Sequence, residues 1–189
     1  MKLIEIRNDD VLQPMASTKH QRKILEKPLF DYFLEADQIF ADYNYPQILA
    51  CVAEGVTNQF WINHIRKNRH RYQIELHALY HINYRKFSKN LLTLNLGSAI
   101  RILEDTFECK VTIWYLPFGR KGVPPIGDEV CESLGIKMDH QLDQKIDTVR
   151  WLGNYNRTKK IPWQHTNFHY WYNPQVKAVR EVVKICSAL

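Results

Sequence analysis

Glycine is scarce in this chain of 189 residues, with seven glycines against ten tyrosines. No Gly-x-Gly-x-x-Gly run follows a strand-like segment, which argues against a dinucleotide-binding sheet. Cysteine is sparse too. Cys51, Cys109, Cys131 and Cys186 form no Cys-x-x-Cys pair, and their spacing gives neither a zinc knuckle nor a disulfide framework. Such usage fits a reducing compartment. No apolar stretch approaches the roughly 18 residues of a membrane span. Met1-Lys2 leads straight into strand-like residues, without the charged-then-apolar leader of a secreted protein, so the expectation is a cytoplasmic protein. No internal repeat or low-complexity tract is present.

What is present is enough to build a core. Hydrophobic residues make up 45% and aromatic ones 12%. The length predicts one domain spanning 1–189, able to bury roughly 70% of the surface its unfolded chain exposes. The net charge of +6 leans mildly toward anionic partners. The most concentrated basic stretch, from His64 to Arg71, reads either as a phosphate-contacting patch or as the solvated end of a helix, where cations favour the dipole.

Periodicity places strands at about Lys2–Asn8, Gln47–Ala53, Tyr72–Leu79 and Lys110–Leu116. Further short strands are expected at Ile136–Met138, Asp147–Leu152 and Thr166–Trp171. Helices are expected at about Gln21–Tyr43, Thr57–Asn68, Asn90–Phe107, Asp128–Leu134 and Gln175–Cys186, each with apolar residues at helical spacing. Strands alternating with helices imply a parallel sheet with crossover connections. The predicted fold is therefore α/β: a distorted (β/α) barrel of about seven parallel strands in a single domain.

Chemistry in such barrels sits at the C-terminal ends of the strands. The polar clusters of this chain fall there: Asp9-Asp10, His77 with His81, Pro117 to Arg120, and His165 to His169. A carboxylate with two imidazoles is a donor set suited to activating water on a metal. Each part has a plainer reading alone. Asn8-Asp9-Asp10 could form an Asx turn, and the two histidines could belong to an aromatic-rich loop.

The order of these motifs resembles the polysaccharide deacetylase family, also called the NodB-homology family. Asn8-Asp9-Asp10 is similar to its Asp-Asp motif, and His77-Ala-Leu-Tyr-His81 to its His-(Ser/Thr)-x-x-His motif. Leu116-Pro117-Phe118 looks like its Arg-x-Pro-aromatic segment, with the arginine displaced to Arg120. His165 and His169 both stand where the family has a late histidine, and His169 lies nearer the last helix. Ala78 occupies the position of the family's hydroxyl residue.

The resemblance implies a distorted barrel that removes acetyl groups from N-acetylated sugars. Asp10, His77 and His81 would hold a divalent metal, with Zn²⁺ first and Mn²⁺, Co²⁺ or Ni²⁺ also fitting the donors. Asp9 would be the general base and His169 the general acid. Pro117, Phe118, Arg120, Trp163, His165 and Trp171 would contact substrate, a small soluble N-acetylated sugar or glycoconjugate. Two alternatives stay open: another metal-dependent amidohydrolase or phosphoesterase on the same barrel, and a non-catalytic module binding carbohydrate or nucleic acid.

Overall fold

The computed structural model describes residues 4–14, 23, 25–139, 147–162 and 164–188. Six strands form one curled sheet: β1 (Glu5–Val11), β2 (Gln47–Val52), β3 (Tyr72–Ala78), β4 (Ile113–Trp114), β5 (Lys137–Met138) and β6 (His165–His169). Their order is β5-β4-β3-β2-β1-β6, and each pairing is parallel. The helices are α1 (Leu29–Asp42), α2 (Gln59–Lys67), α3 (Lys89–Phe107), α4 (Gly127–Ser133), α5 (Thr148–Thr158) and α6 (Asn173–Ser187). The result is a single-domain α/β half-barrel, in which the last strand lies beside the first.

The described residues hold six strands, where the sequence predicts about seven. The difference lies at Asp147–Leu152, which reads as a strand but begins α5. The Asp147 carboxylate accepts the Arg150 N–H at 2.9 Å, an N-cap that starts a helix. Trp151 is then fully buried. β4 is also shorter than its apolar run predicts. The Glu75 carboxylate accepts the N–H groups of Thr112 (2.7 Å) and Ile113 (2.8 Å), taking donors that a longer strand would offer to β3. The start of α1 falls at Leu29, behind Pro28, rather than at Gln21, which lies outside the described residues. Asn58, not Thr57, caps α2, accepting from Phe60 N.

The main core gathers Phe33, Phe40, Leu96, Leu103, Val179 and Val183 from the helices with Ile6, Leu49 and Ile74 from the strands. A separate small apolar cluster of Ile48, Ala50 and Tyr115 forms elsewhere on the sheet. Arg7 lies over the Tyr115 ring, 4.2 Å from its centroid, so β1 residues 7 and 9 share that face by strand alternation. The sheet thus turns its odd-numbered β1 residues to a face where polar groups collect.

The basic stretch is engaged within the fold. Arg66 donates twice to Thr106 O (2.9 and 2.8 Å) and Arg69 to Phe107 O (3.4 Å), at the C-terminal end of α3, where cations are favoured. His64 and Arg71 meet the buried Asp37 carboxylate at 2.9 and 3.0 Å.

Candidate active site

Asp10 stands at the centre. Its Oδ1 lies 3.2 Å from His77 Nε2 and 3.0 Å from His81 Nε2. One ligand atom from each of the three residues falls within 4.8 Å of the others. Strand alternation alone would send Asp9 and Asp10 to opposite faces. The backbone prevents this. Asp10 adopts φ +62° and Leu12 φ +67°, and the β1–β2 register shifts between Asn8 and Val11. A left-handed residue other than glycine costs about 1 kcal/mol, and this bulge lets adjacent carboxylates serve one site.

Each imidazole is oriented from behind. His77 Nδ1 is 2.8 Å from the Tyr115 carbonyl, which must accept its proton, leaving Nε2 to face Asp10. The loop bearing His81 is braced without a hydroxyl at Ala78. Glu54 N–H donates to Leu79 O (3.0 Å), and the Tyr84 hydroxyl donates to Tyr80 O (2.8 Å). Phe118, itself left-handed at φ +59° and 49% exposed, packs against the His81 ring with centroids 4.8 Å apart.

Asp9 lies beside this cluster, held by different partners. Arg7 Nε and Nη2 donate to its two oxygens at 2.6 and 3.1 Å, and Asn167 Nδ2 adds a bond at 2.9 Å. The other arm of Arg7 reaches Asp139 Oδ2 at 2.9 Å. Burial pushes the Asp9 carboxyl up, but the charge of Arg7, then those of His77 and His169, outweigh it and hold the group below its ordinary value. Asp9 is therefore an anion at neutral pH.

His169 approaches from β6, with Nε2 at 3.9 Å from Asp10 Oδ2. The buried Gln175 at the start of α6 accepts the His169 N–H at 2.8 Å and lies 3.1 Å from His169 Nδ1. The next two residues both reach Asp10: Tyr170 O–H donates to its carbonyl (3.1 Å) and Trp171 Nε1–H to its Oδ2 (3.0 Å). His165 pairs in register with Glu5 at the far end of β6, about 13 Å back along the strand at roughly 3.3 Å per residue.

Phe118 thus stands by His81, and Pro117 precedes it in the chain, its carbonyl close to Gly122. Arg120 lies in the turn Gly119–Gly122 and lines a cavity of about 270 Å³ with Pro124, Asp128 and Met138. Trp163 lies outside the described residues. Arg7, Asn167 and Gln175 escape motif reasoning. Arg7 alone carries a usable signal, since it is two residues before Asp9 on one strand and must share its face.

The fold is that of the CE4 family, the NodB-like polysaccharide deacetylase fold. A CE4 family pseudoenzyme from Bacillus anthracis superposes with a TM-score of 0.71 at 13% identity, covering 99% of this chain and 61% of that one. A family 4 carbohydrate esterase from Streptomyces lividans, in complex with acetate, gives 0.68 at 9% identity, covering 99% and 88%. The peptidoglycan deacetylase PdaC from Bacillus subtilis gives 0.65 at 13%, covering 99% and 84%. The chain spans about three fifths of the length of the pseudoenzyme. No family profile and no curated protein matches the sequence. At these identities the likeness is one of fold, and the chemistry has to be argued from the residues.

Proposed function

We propose that this chain is a metal-dependent hydrolase that removes the acetyl group from the amide of an N-acetylated sugar or glycoconjugate. The observation carrying this reading is the meeting of Asp10, His77 and His81 within 4.8 Å, with Asp9 and His169 beside them at the C-terminal ends of their strands. The CE4 fold supports it.

The donors fit a divalent ion. One carboxylate and two imidazole nitrogens, with no thiolate, suit Zn²⁺ with positions left open, and Mn²⁺, Co²⁺ or Ni²⁺ would also be accepted. A bound ion would polarise the acyl carbonyl and bring the pKa of a water toward neutrality.

The remaining work falls to the protein. Asp9 would accept the proton of the attacking water. Arg7 keeps it ionised and aims it, at the expense of some basicity. A backbone N–H near Pro117-Phe118 would face the developing oxyanion. His169, its ring set by Gln175, would give a proton to the departing amine. Phe118 would offer its exposed aromatic face to a sugar ring, and Arg120, which lines a cavity with Asp128 and Met138, would contact the substrate beyond it.

Among the described residues no helix is long and apolar enough to cross a membrane. The four free cysteines support placing the chain in a reducing cytoplasm. The internal engagement of His64, Arg66, Arg69 and Arg71 favours the structural reading of that stretch over a nucleic-acid one. Acetate release from a panel of N-acetylated sugars tests the proposal. Release that EDTA abolishes and Zn²⁺ restores supports it. A chain that binds zinc yet releases no acetate from any sugar sinks it.

A further inference from the structure

Trp171 reaches the carboxylate of a metal-ligand candidate with the polar edge of its ring. Its Nε1–H donates to Asp10 Oδ2 at 3.0 Å, while Asp10 Oδ1 faces His77 and His81 at 3.2 and 3.0 Å. The preceding residue, Tyr170, donates its hydroxyl to the carbonyl of the same aspartate at 3.1 Å. Two consecutive residues beyond β6 thus grip one left-handed residue of β1, by its backbone and by its carboxylate.

We propose that Trp171 is a positioning residue that acts through Asp10. Its indole N–H occupies Oδ2, so that Asp10 presents a single oxygen, Oδ1, to a cation held with His77 and His81. The inference rests on the metal reading above and adds to it. A carboxylate free to swing could offer both oxygens and fill a coordination position that water or an acyl oxygen needs. The clamp keeps that position open. Partners that orient a ligand carboxylate typically govern metal affinity by 10–100-fold. The Trp171 ring also lies 5.1 Å from the His169 ring, so one indole sets the spacing between Asp10 and the proposed acid.

Trp171→Phe separates this role from sugar stacking. Stacking uses the ring face, which Phe retains; the clamp uses the N–H, which Phe lacks. Zinc affinity is measured by calorimetry on both proteins, and Co²⁺-loaded forms are compared by visible absorption, whose band positions and intensity follow coordination number. The expected result is zinc binding weakened by roughly 10–100-fold, an altered cobalt spectrum, and a metal-free variant that still melts cooperatively. Zinc affinity and cobalt spectrum equal to the unaltered chain would overturn the inference while leaving the metal reading intact. An unaltered chain that binds no divalent metal overturns both.

A second measurement on the unaltered chain guards against a variant that does not fold. With the indole N–H resonances resolved by ¹⁵N labelling, zinc addition should shift that of Trp171. A Trp171 resonance that does not move under saturating zinc counts against the clamp.

Discussion

Arg7 and Asp9 stand two residues apart on β1, on the same face, and close a two-pronged ion pair with N···O distances of 2.6 and 3.1 Å. Both are buried, at 8% and 4% exposure, and Asp139 takes the other arm of the guanidinium. The residues just before Pro117, Ile113 to Leu116, include no arginine, and Arg7 brings a guanidinium to Asp9 from the first strand. Its forks engage Asp9 and not Asp10, so the two neighbouring carboxylates have different partners.

Arg7→Met should therefore destabilise the protein by about 3–5 kcal/mol, the usual loss when one partner of a buried pair is removed. Arg7→Lys should recover only part of this, since an ammonium cannot reproduce the fork. Zinc affinity should stay near that of the unaltered chain in both variants, while acetate release falls sharply. Urea unfolding, calorimetry and turnover together check the prediction.

The pH response of the metal-free chain should run opposite to that of metal binding. Burial disfavours a charged His81, but the hydrogen bond and charge of Asp10, with Asp9 and Glu54 behind, outweigh it and raise its pKa. Burial likewise opposes ionisation of Asp10, and hydrogen bonds from His77 and His81 outweigh it, holding the carboxyl well below its ordinary value. The His81 contribution to stability is full below about pH 6.5 and is lost as pH rises through the raised folded value. The Asp10 contribution is full above about pH 4 and is lost as pH falls through the depressed folded value. The metal-free chain should be most stable between these limits. Zinc requires a neutral His81, so its affinity should climb with pH through that same raised value. Melting curves with EDTA and with zinc, taken across acid to alkaline pH, check both slopes.

Much of this site is legible in the sequence, because its residues lie at strand ends and strand ends are readable from apolar runs. Asp9, Asp10, His77 and His81 emerge that way. That Asp9 and Asp10 share one site is another matter, since it depends on φ +62° at Asp10, which no glycine marks. Arg7 is readable by alternation but looks like an ordinary strand residue. Gln175 reaches His169 only because α6 turns back over β6, a tertiary fact without a local signal. Asp147–Leu152 misleads because Val149 and Trp151 carry strand propensity, while the decisive element is the cap at Asp147. The strand expected at Lys110–Leu116 shrinks to two residues because a side chain, Glu75, takes the backbone donors.

Gly55 offers a test of the support under Asp10. A Cβ added there would lie 1.5 Å from Leu12 O and 2.6 Å from Leu12 C, both backbone atoms. The turn Ala53–Thr57 therefore packs against the end of β1 at a distance only glycine permits. Gly55→Ala should lose about 3 kcal/mol or more, at or beyond the upper end of ordinary overpacking. It should also weaken zinc binding, since Leu12 is two residues from Asp10. Urea unfolding in EDTA separates the first effect from the second.

The late histidine can be assigned by a paired substitution. His169 Nε2 lies 3.9 Å from Asp10 Oδ2, and its ring is fixed by Gln175 and flanked by Trp171. His165 sits at the other end of β6, in register with Glu5, far from the three candidate ligands. If His169 delivers the proton to the leaving amine, His169→Asn should cut acetate release by roughly 10²–10⁴-fold, the typical contribution of general acid–base catalysis. Zinc affinity should change little, because His169 is not among the three converging ligands. Gln175→Leu should give a smaller loss of turnover, as the ring keeps its place in the chain but loses the acceptor that sets its tautomer. His165→Asn should leave turnover within about threefold of the unaltered chain, since no general acid–base contribution is then removed. Equal losses from His165→Asn and His169→Asn would mean that the proton is delivered by some other group, and that the end of β6 matters for packing alone.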